Sequence, residues 1–362
     1  MDVYNIASKF NIEGTIKSIE PFGGGHINDT FCIKTEFNDQ QPQYILQNVN
    51  RYVFKDIDGL MSNISIVTKH IRNKLKLQHV PDYVRRSVEL FNTMENKLYE
   101  EDDKGLCWRL FNFIEDHVVY DTAPNIEIAY EGARMFGQFL HQLSDLDPGN
   151  IVETIPDFHN IKFRLSNLEK SIKEDAVKRA SQVQKEIDFV RSRYEIMSVI
   201  QNQGEKGLIP FRIVHNDTKI NNVLFDKENK GLCIVDLDTI MPGYVHYDFG
   251  DGVRTCANTG EEDDADLKNV SYNLEMYRAF TAGYIDSVSS ILTESERSTM
   301  AYAALLFPFI MGVRFLTDFI AGDVYYKTGY EDHNKVRAKA QLKLAEDGEL
   351  KLDELKRIVK KA

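Results

Sequence analysis

Cysteine is scarce in this chain, and its spacing excludes two classes of small, cross-linked domain. The 362 residues contain four cysteines, which lie far apart at Cys32, Cys107, Cys233 and Cys256. Single cysteines at such separations form neither the framework of a disulfide-rich domain nor the ligand set of a zinc site. We therefore expect reduced, partly buried thiols and a cytoplasmic protein.

The chain also lacks an excess of basic residues. Its 44 Lys and Arg against 56 Asp and Glu give a net charge of −12, which argues against nucleic acid as a partner because phosphate backbones are bound by clustered cations. We find no run approaching the roughly 20 apolar residues that span a bilayer and no signal peptide at the N-terminus, so no membrane partner is expected. A small molecule is the expected partner. The sequence fits a monomer but leaves the oligomeric state open.

The first part of the chain is rich in predicted strands and opens on a glycine run, Gly23-Gly24-Gly25. A helical apolar period over Asn63 to Leu75 follows the third strand. Because a glycine turn allows a close approach of backbone to phosphates, this part is the expected nucleotide-binding lobe. The predicted strands are Thr15 to Glu20, Thr30 to Thr35, Gln43 to Val49, Ser87 to Asn92 and Leu106 to Phe113.

Beyond about Glu115 the pattern becomes helical. Ile126 to Leu143 has a helical period and stops before Pro148, and a charged amphipathic stretch covers Lys162 to Asn202. Short apolar strands interrupt between residues 211 and 238, and helices resume from Asp264. We predict an α+β fold with two lobes, a β-rich lobe over residues 1–114 and a mainly helical lobe over residues 115–362.

One loop in the second lobe has the spacing of a kinase catalytic loop. His215 and Asp217 form a His-x-Asp pair, Asn222 follows after four residues, and Asp236 ends the predicted strand Leu232 to Val235. Phosphoryl transfer from ATP needs one carboxylate to orient the acceptor hydroxyl and accept its proton. It also needs an amide oxygen and a second carboxylate to hold Mg²⁺ against the phosphates. Asp217, Asn222 and Asp236 supply those groups in that order, which predicts a kinase-like phosphotransferase with Asp217 as its base.

Three polar residues near this loop need separate interpretation. Asp238 can join Asp236 as a metal ligand, because side chains two apart on a strand face the same side, but it can equally bind substrate or a helix terminus. Asp248 begins an Asp-Phe-Gly sequence, the metal-binding signature of protein kinases. Since Asp236 already has the better spacing, we expect Asp248 to be an anchor. We expect His215 to pack and to bond the backbone.

Several segments together resemble the aminoglycoside phosphotransferase and choline kinase superfamily, and within it the bacterial N-acetylhexosamine 1-kinases. The His-x-Asp loop by itself indicates the superfamily, whereas Asp236 to Gly243 together with Gly24 to Asn28 is similar to the sugar kinases. The resemblance implies Mg²⁺-dependent transfer from ATP to the anomeric hydroxyl of GlcNAc or GalNAc in amino-sugar salvage. Its segments are Pro21 to Asn28, Tyr44 to Gln47, His215 to Lys219, Asp236 to Gly243, Asp248 to Asp251 and Gly312 to Leu316.

The resemblance also implies which residues bind the two substrates. In the sugar site, a guanidinium can fork two hydroxyls and an aromatic ring can pack against the sugar face. The implied sugar-binding residues are His26, Asp217, Thr239, Arg314 and Tyr325. For the nucleotide, the glycine run is expected at the phosphates and the hinge around Phe113 at the adenine. The expected nucleotide-binding residues are Gly23, Gly24, Gly25, Gln47 and Phe113.

One position departs from the usual kinase pattern. The third strand carries Gln47 where many kinases place a phosphate-binding lysine, and no Asp or Glu occurs from Gly59 through Pro81 to complete a Lys–Glu pair. The sugar kinases that the chain resembles also carry Gln there, so we expect activity. Two alternatives stay open: a kinase of small alcohols or aminoglycosides from the same superfamily, and a nucleotide-binding pseudokinase.

Overall fold

The computed structural model describes residues 3–23 and 28–362, which form mixed α and β structure. The strands are β1 (Thr15–Pro21), β2 (Asp29–Glu36), β3 (Gln43–Val49), β4 (Leu90–Phe91), β5 (Glu100–Glu101), β6 (Cys107–Asn112), β7 (Arg212–Val214), β8 (Val223–Phe225), β9 (Gly231–Ile234) and β10 (Met241–Gly243). The helices are α1 (Val3–Ala7), α2 (Ile57–Leu77), α3 (Ile126–Gln142), α4 (Ile161–Glu174), α5 (Gln184–Ser192), α6 (Tyr194–Met197), α7 (Val199–Glu205), α8 (Val245–Cys256), α9 (Leu274–Val288), α10 (Glu294–Thr299), α11 (Ala303–Ala321), α12 (His333–Leu350) and α13 (Leu352–Lys361).

The chain divides into two compact units and passes between them more than once. The β-rich first part and helical second part confirm the predicted α+β class. The first unit comprises Met1–Val119, Asp145–Ile155 and Leu224–Pro242. The second comprises Tyr120–Ser144, Pro156–Val223 and Gly243–Ala362.

An antiparallel sheet in the order β1-β2-β3-β6-β4 forms most of the first unit, with β5 paired to β6. The prediction of β3 is confirmed at both ends, whereas the predicted strand Ser87 to Asn92 shrinks to the two residues of β4. The register places Gln47 between Thr30 on β2 and Arg109 on β6. Trp108 is fully buried in the core of this sheet.

The helix predicted after β3 is α2, and it begins at Ile57, earlier than the apolar period that starts at Asn63. The carboxylate of Asp56 caps it by accepting the backbone N–H of Gly59 at 2.9 Å, a typical N-cap bond. The apolar stripe at spacings of three and four is buried in the first unit, which confirms the period. Its residues are Ile64, Val67, Ile71 and Leu75.

The second unit is a helical assembly in which α3 packs along α9, and α11 packs along α12 and α4. The charged amphipathic stretch predicted over Lys162 to Asn202 is helical, but it is broken into the four helices α4 to α7. The break begins at Asp175, which takes a left-handed conformation (φ 35°). Its side chain accepts the backbone N–H groups of Arg179 and Ala180 at 2.8 and 2.9 Å. These bonds fix a turn that a continuous helix would forbid.

One helical stretch of the second unit corrects the prediction about apolar runs. Glu294–Ala321 has 28 residues and a mean hydropathy of 1.7 in its most apolar window, enough by length and composition to cross a membrane. However, 83% of that window is buried inside the protein, as in a core helix. Among the described residues it is the one helix with these properties, and its apolar surface is covered by its neighbours in the second unit.

Candidate functional site

The His-x-Asp loop between β7 and β8 is anchored by a buried aspartate of α8. Asp248 accepts the backbone N–H groups of His215 at 3.0 Å and Asn216 at 2.8 Å. The hydroxyl of Thr218 donates to the Asp248 carbonyl at 2.6 Å. Complete burial raises the pKa of Asp248 to about 7, although both backbone donors act in the opposite direction. The Asp-Phe-Gly sequence therefore holds the loop in shape, which is the anchoring role expected of Asp248.

His215 lies inside this anchored loop and has no exposed surface. Its ring meets Phe136 and Phe139 edge to face, with ring centres 5.5 and 5.6 Å away. Its Nδ1 accepts the backbone N–H of Asp217 at 3.3 Å. These are the packing and backbone contacts expected of a structural histidine.

The carboxylate of Asp217 is held from both sides by residues of its own loop. The Lys219 ammonium lies 2.8 Å from its Oδ1, and the Asn222 amide donates to its Oδ2 at 3.2 Å and to its carbonyl at 2.9 Å. Burial lowers the pKa of Lys219, but Asp217 and Asp251 together raise it above its usual value. The structure thus brings Asp217 and Asn222 together and adds Lys219, which the sequence analysis did not assign.

The amide orientation of Asn222 matters for metal binding. Because its Nδ2 faces Asp217, its Oδ1 points away from that carboxylate as an oxygen donor of the kind Mg²⁺ prefers. Asp236 is an exposed carboxylate in the first unit, and it follows β9 in a left-handed conformation (φ 59°). Within residues 3–23 and 28–362, no three His, Cys, Asp or Glu side chains are grouped to hold a metal by themselves. Asn222 in the second unit and Asp236 in the first each offer an oxygen of the kind that can complete the coordination of a Mg²⁺ bound mainly by substrate phosphates.

The strand argument that paired Asp238 with Asp236 is wrong. Leu237–Thr239 forms a short 3₁₀ turn, so the rule that places side chains two apart on the same side of a strand does not apply here. Asp238 is instead buried against Arg109 of β6, whose Nη1 also contacts it and whose Nη2 donates to its Oδ2 at 3.0 Å. The amide of Asn28 donates to the same oxygen at 2.8 Å. A contact with Arg109 was not among the roles foreseen for Asp238.

Gln47 belongs to the same buried polar cluster of the first unit. Its Oε1 accepts from Arg109 Nε and Nη2 at 3.1 and 2.9 Å, and its Nε2 donates to the Thr30 hydroxyl at 3.1 Å. Both ends of the amide are therefore engaged within the sheet. The positive charge that many kinases carry on β3 is present one strand away, on Arg109 of β6. No local sequence pattern indicates the contact between Arg109 and Gln47, because it depends on the pairing of β3 with β6.

The other expected nucleotide-binding residues lie in the first unit or outside the described residues. Gly23 has a positive φ of 74°, and a Cβ at this position would meet no described atom within 4 Å. Phe113 packs edge to face on Phe22 at 5.6 Å, and its backbone N–H is donated to the Gln43 carbonyl at 3.1 Å. Gly24 and Gly25, and with them His26 of the expected sugar site, lie outside the described residues.

Of the residues expected in the sugar site, Arg314 lies within the C-terminal half of α11 and Tyr325 lies just after that helix, both in the second unit. Tyr325 is 66% exposed. The buried carboxylate of Asp318 accepts the backbone N–H groups of Val324, Tyr325 and Tyr326 at 2.8 to 3.0 Å and thereby shapes the turn that presents Tyr325. Arg314 lies over the rings of Phe158 and Tyr326. The remaining expected sugar-binding residue, Thr239, is half-buried in the 3₁₀ turn of the first unit.

Comparison with known proteins agrees with this arrangement. A sequence model of the phosphotransferase enzyme family matches residues 18–280. Among solved structures, an aminoglycoside phosphotransferase from Alicyclobacillus acidocaldarius subsp. acidocaldarius DSM 446 has a TM-score of 0.61 at 12% identity, over 99% of this chain and 96% of that chain. A choline kinase from Cryptosporidium parvum Iowa II has a TM-score of 0.53 at 13% identity, over 93% and 90% of the two chains. The streptomycin–ATP ternary complex of APH(2″)-IIa has a TM-score of 0.52 at 15% identity, over 96% and 98%. At these identities the solved structures share the fold.

Proposed function

The chain belongs to the phosphotransferase enzyme family, and we propose that within it the protein is an N-acetylhexosamine 1-kinase. It would transfer the γ-phosphoryl group of ATP to the anomeric hydroxyl of GlcNAc or GalNAc. The observation that carries the proposal is Asp217, a carboxylate held by Lys219 and Asn222 on a loop that Asp248 anchors. A carboxylate held in one orientation supports the proposal that Asp217 is the proton-accepting group.

In the proposed reaction Asp217 accepts the proton of the anomeric hydroxyl. The hydroxyl oxygen forms a bond to the γ-phosphorus of ATP, the bond from that phosphorus to the bridging oxygen breaks, and ADP leaves. An anomeric hydroxyl is more acidic than an ordinary alcohol, so a carboxylate suffices as the acceptor. Lys219 and Asn222 keep the Asp217 carboxylate in one orientation, which removes the entropic cost of ordering it during the reaction.

Magnesium, when bound with ATP, supplies positive charge that neutralises the phosphates. Asn222 and Asp236 are the residues we propose to hold it, through the amide oxygen and the exposed carboxylate. Asp238 was the third candidate from the sequence, but its two oxygens already accept from Arg109 and Asn28. We therefore propose that Asp236 binds the metal and that Asp238 supports the first unit from inside.

The sugar assignment rests on the resemblance and is supported by the chemistry of Arg314 and Tyr325. Guanidinium groups donate forked hydrogen bonds to hydroxyl and carbonyl oxygens, and an exposed tyrosine ring offers a flat surface to a sugar ring. A choline kinase and a streptomycin-bound phosphotransferase share this fold, so a kinase of amino alcohols or aminoglycosides is the second candidate. The two candidates differ in the acceptor and share the ATP chemistry.

Phosphorus NMR of the purified protein with ATP and Mg²⁺ tests the proposal directly. GlcNAc and GalNAc are the acceptors, and choline and kanamycin are run in parallel. We expect an anomeric sugar phosphate together with ADP, and we expect Asp217→Asn to lower the rate by about 10²- to 10⁴-fold. Phosphocholine or phosphokanamycin in place of the sugar phosphate would transfer the assignment to the second candidate. ATP binding without ADP from any acceptor would indicate a pseudokinase.

A further inference from the structure

Two arginines of the second unit, Arg164 and Arg314, contact the same aromatic residue, Phe158. Arg164 of α4 donates from Nε and Nη2 to the carbonyl of Phe158 at 3.2 and 2.7 Å. Arg314 of α11 lies over the ring of the same Phe158, 5.3 Å from its centre, and 5.5 Å from the centre of the Tyr326 ring. Both arginine side chains are half-buried. Arg164 is therefore a second guanidinium beside the one that the sequence assigned to the sugar site.

Neither guanidinium is neutralised by a salt bridge to any described carboxylate. Several other half-buried or buried arginines of the second unit are paired with carboxylates, among them Arg179 with Asp323, Arg212 with Glu296 and Arg254 with Asp251. Asp157 is within electrostatic range of Arg164 but forms no salt bridge with it, and burial together with the nearby Arg314 lowers the pKa of Arg164 to about 10. Two like charges that lie close together without a salt bridge to either of them are costly. Such an arrangement is typical of a site whose ligand brings the missing oxygen atoms.

The hydroxyl of Tyr326 points to the same conclusion independently. It is buried and has no hydrogen-bond partner within the described part of the chain. Tyr326 lies within electrostatic range of both arginines, and burial raises its pKa to about 12, so the hydroxyl stays neutral. A buried hydroxyl without a partner is rare in native proteins and marks a place where a ligand or water completes the bonding.

We propose that Arg164 is a specificity-determining residue of the acceptor site. Together with Arg314 it forms a paired-guanidinium subsite that binds oxygen-rich, uncharged or anionic sugars and rejects acceptors that carry an ammonium group. The guanidinium donors of Arg314, together with the Nη1 donors of Arg164 that do not bond the Phe158 carbonyl, match the hydroxyl and acetamide oxygens of an N-acetylated amino sugar. The ammonium of a free amino sugar or an amino alcohol is repelled by both. This inference rests on the proposed function, because it assigns the substrate class of the same site.

The test compares acceptors that differ in charge, with wild type and four variants. The acceptors are GlcNAc, glucosamine, glucuronic acid and choline, and ADP release gives KM and kcat for each. Arg164→Gln removes the guanidinium, Arg164→Lys keeps the charge without the fork, and Arg314→Gln tests the partner. Lys170→Gln is the matched control, since Lys170 is an exposed cation of the same helix. Thermal melting of each variant reports whether the fold is retained.

For wild type we expect GlcNAc to be preferred to glucosamine and choline. For Arg164→Gln we expect the KM of GlcNAc to rise about tenfold, the size of effect given by one or two hydrogen bonds from a charged donor, with kcat changed by less than about twofold because the chemistry at Asp217 is intact. The kcat/KM of glucosamine should stay constant or rise. Arg164→Lys should lie between wild type and Arg164→Gln, and Lys170→Gln should behave as wild type.

Failure of this inference can be told apart from failure of the proposed function. If GlcNAc 1-phosphate forms and Arg164→Gln leaves every KM unchanged, the subsite is wrong and the sugar kinase stands. If glucuronic acid is the acceptor instead, and its KM rises in Arg164→Gln, the hexosamine assignment is wrong and the subsite stands. A preference for choline or glucosamine contradicts both. If no acceptor yields ADP, calorimetric titration with GlcNAc decides: binding that Arg164→Gln weakens supports the subsite, and equal or absent binding overturns it.

Discussion

The guanidinium of Arg109 faces the carboxylate of Asp238 in the interior of the first unit, and the two side chains are only 2% and 4% exposed. The residues are 129 positions apart in the sequence. Arg109 lies on β6, and Asp238 lies in the turn that follows β9. The pair therefore ties the large sheet to a segment that the chain adds much later.

Removing one partner of this pair should destabilise the protein strongly. Arg109→Met leaves Asp238 buried without a counter-ion, and we expect the free energy of unfolding to fall by about 3–5 kcal/mol. Urea unfolding measures this, and the double variant Arg109→Met/Asp238→Leu should regain most of the loss because no charge remains buried. Arg51→Met is the control: Arg51 pairs with Glu101 at the surface of the same unit, so its loss should cost less than about 1 kcal/mol. If Arg109→Met and Arg51→Met lowered the free energy of unfolding equally, the prediction would be wrong.

Restoring the lysine that many kinases carry on β3 should harm this protein. In Gln47→Lys a second cation meets Arg109, and the Thr30 hydroxyl loses its donor. We expect the free energy of unfolding to fall by about 2–3 kcal/mol, measured in urea, while Gln43→Lys on the same strand changes it little. A Gln47→Lys protein as stable as wild type, with tighter ATP binding, would mean that Arg109 can move aside for a lysine.

We expect Asp248 to affect the catalytic rate indirectly, by holding the His-x-Asp loop in shape. Asp248→Ala leaves the backbone N–H groups of His215 and Asn216 buried without an acceptor, and each such group costs about 1–3 kcal/mol. We expect lower stability and a kcat reduced at least about tenfold, with a smaller loss in Asp248→Asn, which keeps one acceptor oxygen. The Mg²⁺ concentration for half-maximal rate separates anchoring from metal binding: it should stay constant in Asp248→Asn and rise in Asp236→Asn. A rise in Asp248→Asn would show that Asp248 binds the metal.

The buried histidine His246 should give stability a specific pH dependence. It contacts the Glu296 carbonyl and the Thr299 hydroxyl at 3.2 and 2.9 Å, and burial lowers its pKa from 6.5 to about 4. The unfolded chain binds a proton on His246 more tightly than the folded protein does. The stabilisation that neutral His246 gives to the folded protein is therefore complete above about pH 6.5 and is lost as the pH falls toward 4. The difference in unfolding free energy between wild type and His246→Gln should therefore shift in favour of the variant by up to about 3 kcal/mol over that range. Denaturant unfolding at pH 7, 5.5 and 4.5 measures it, and a constant difference would contradict the assignment.

Regular, repeated patterns were the part of the fold that could be predicted from the sequence. The strand Gln43–Val49 and the stripe through Ile64 and Leu75 were predicted because burial of one face leaves a period in the sequence. The break at Asp175 was missed because a left-handed aspartate and its side-chain bonds leave no periodic sign. Helix α8 was also missed, since all but its Thr255 side chain lies in the interior of the second unit, and a helix buried all round has no apolar stripe.

The candidate site, like the fold, could be predicted from the sequence only where local spacing determines it. Local spacing led to Asp217, Asn222 and Asp236, which stay predictions about catalysis and metal binding, and the anchoring expected of Asp248 is seen in its backbone bonds. Long-range pairing placed Arg109 against Gln47 and Asp238, and Arg164 beside Arg314 through Phe158. No spacing rule could find these residues, because their partners lie 62 and 129 positions away for Arg109. An unpaired basic residue on a predicted helix is normally interpreted as a solvated charge.

Because the first unit is built from three separate chain segments, it cannot be completed until the last of them has been synthesised on the ribosome. A nascent chain that has reached about residue 200 already contains β1 to β6, yet the hairpin of β8 and β9 and the aspartate that follows it do not exist. Until Asp238 is made, Arg109 has no carboxylate to accept its guanidinium, so the sheet cannot close around it at low cost. Domains tend to fold from the N-terminus as they emerge, but this sheet lacks the partner of Arg109 at that stage. We therefore expect it to stay open and protease-sensitive until residue 238 has been made.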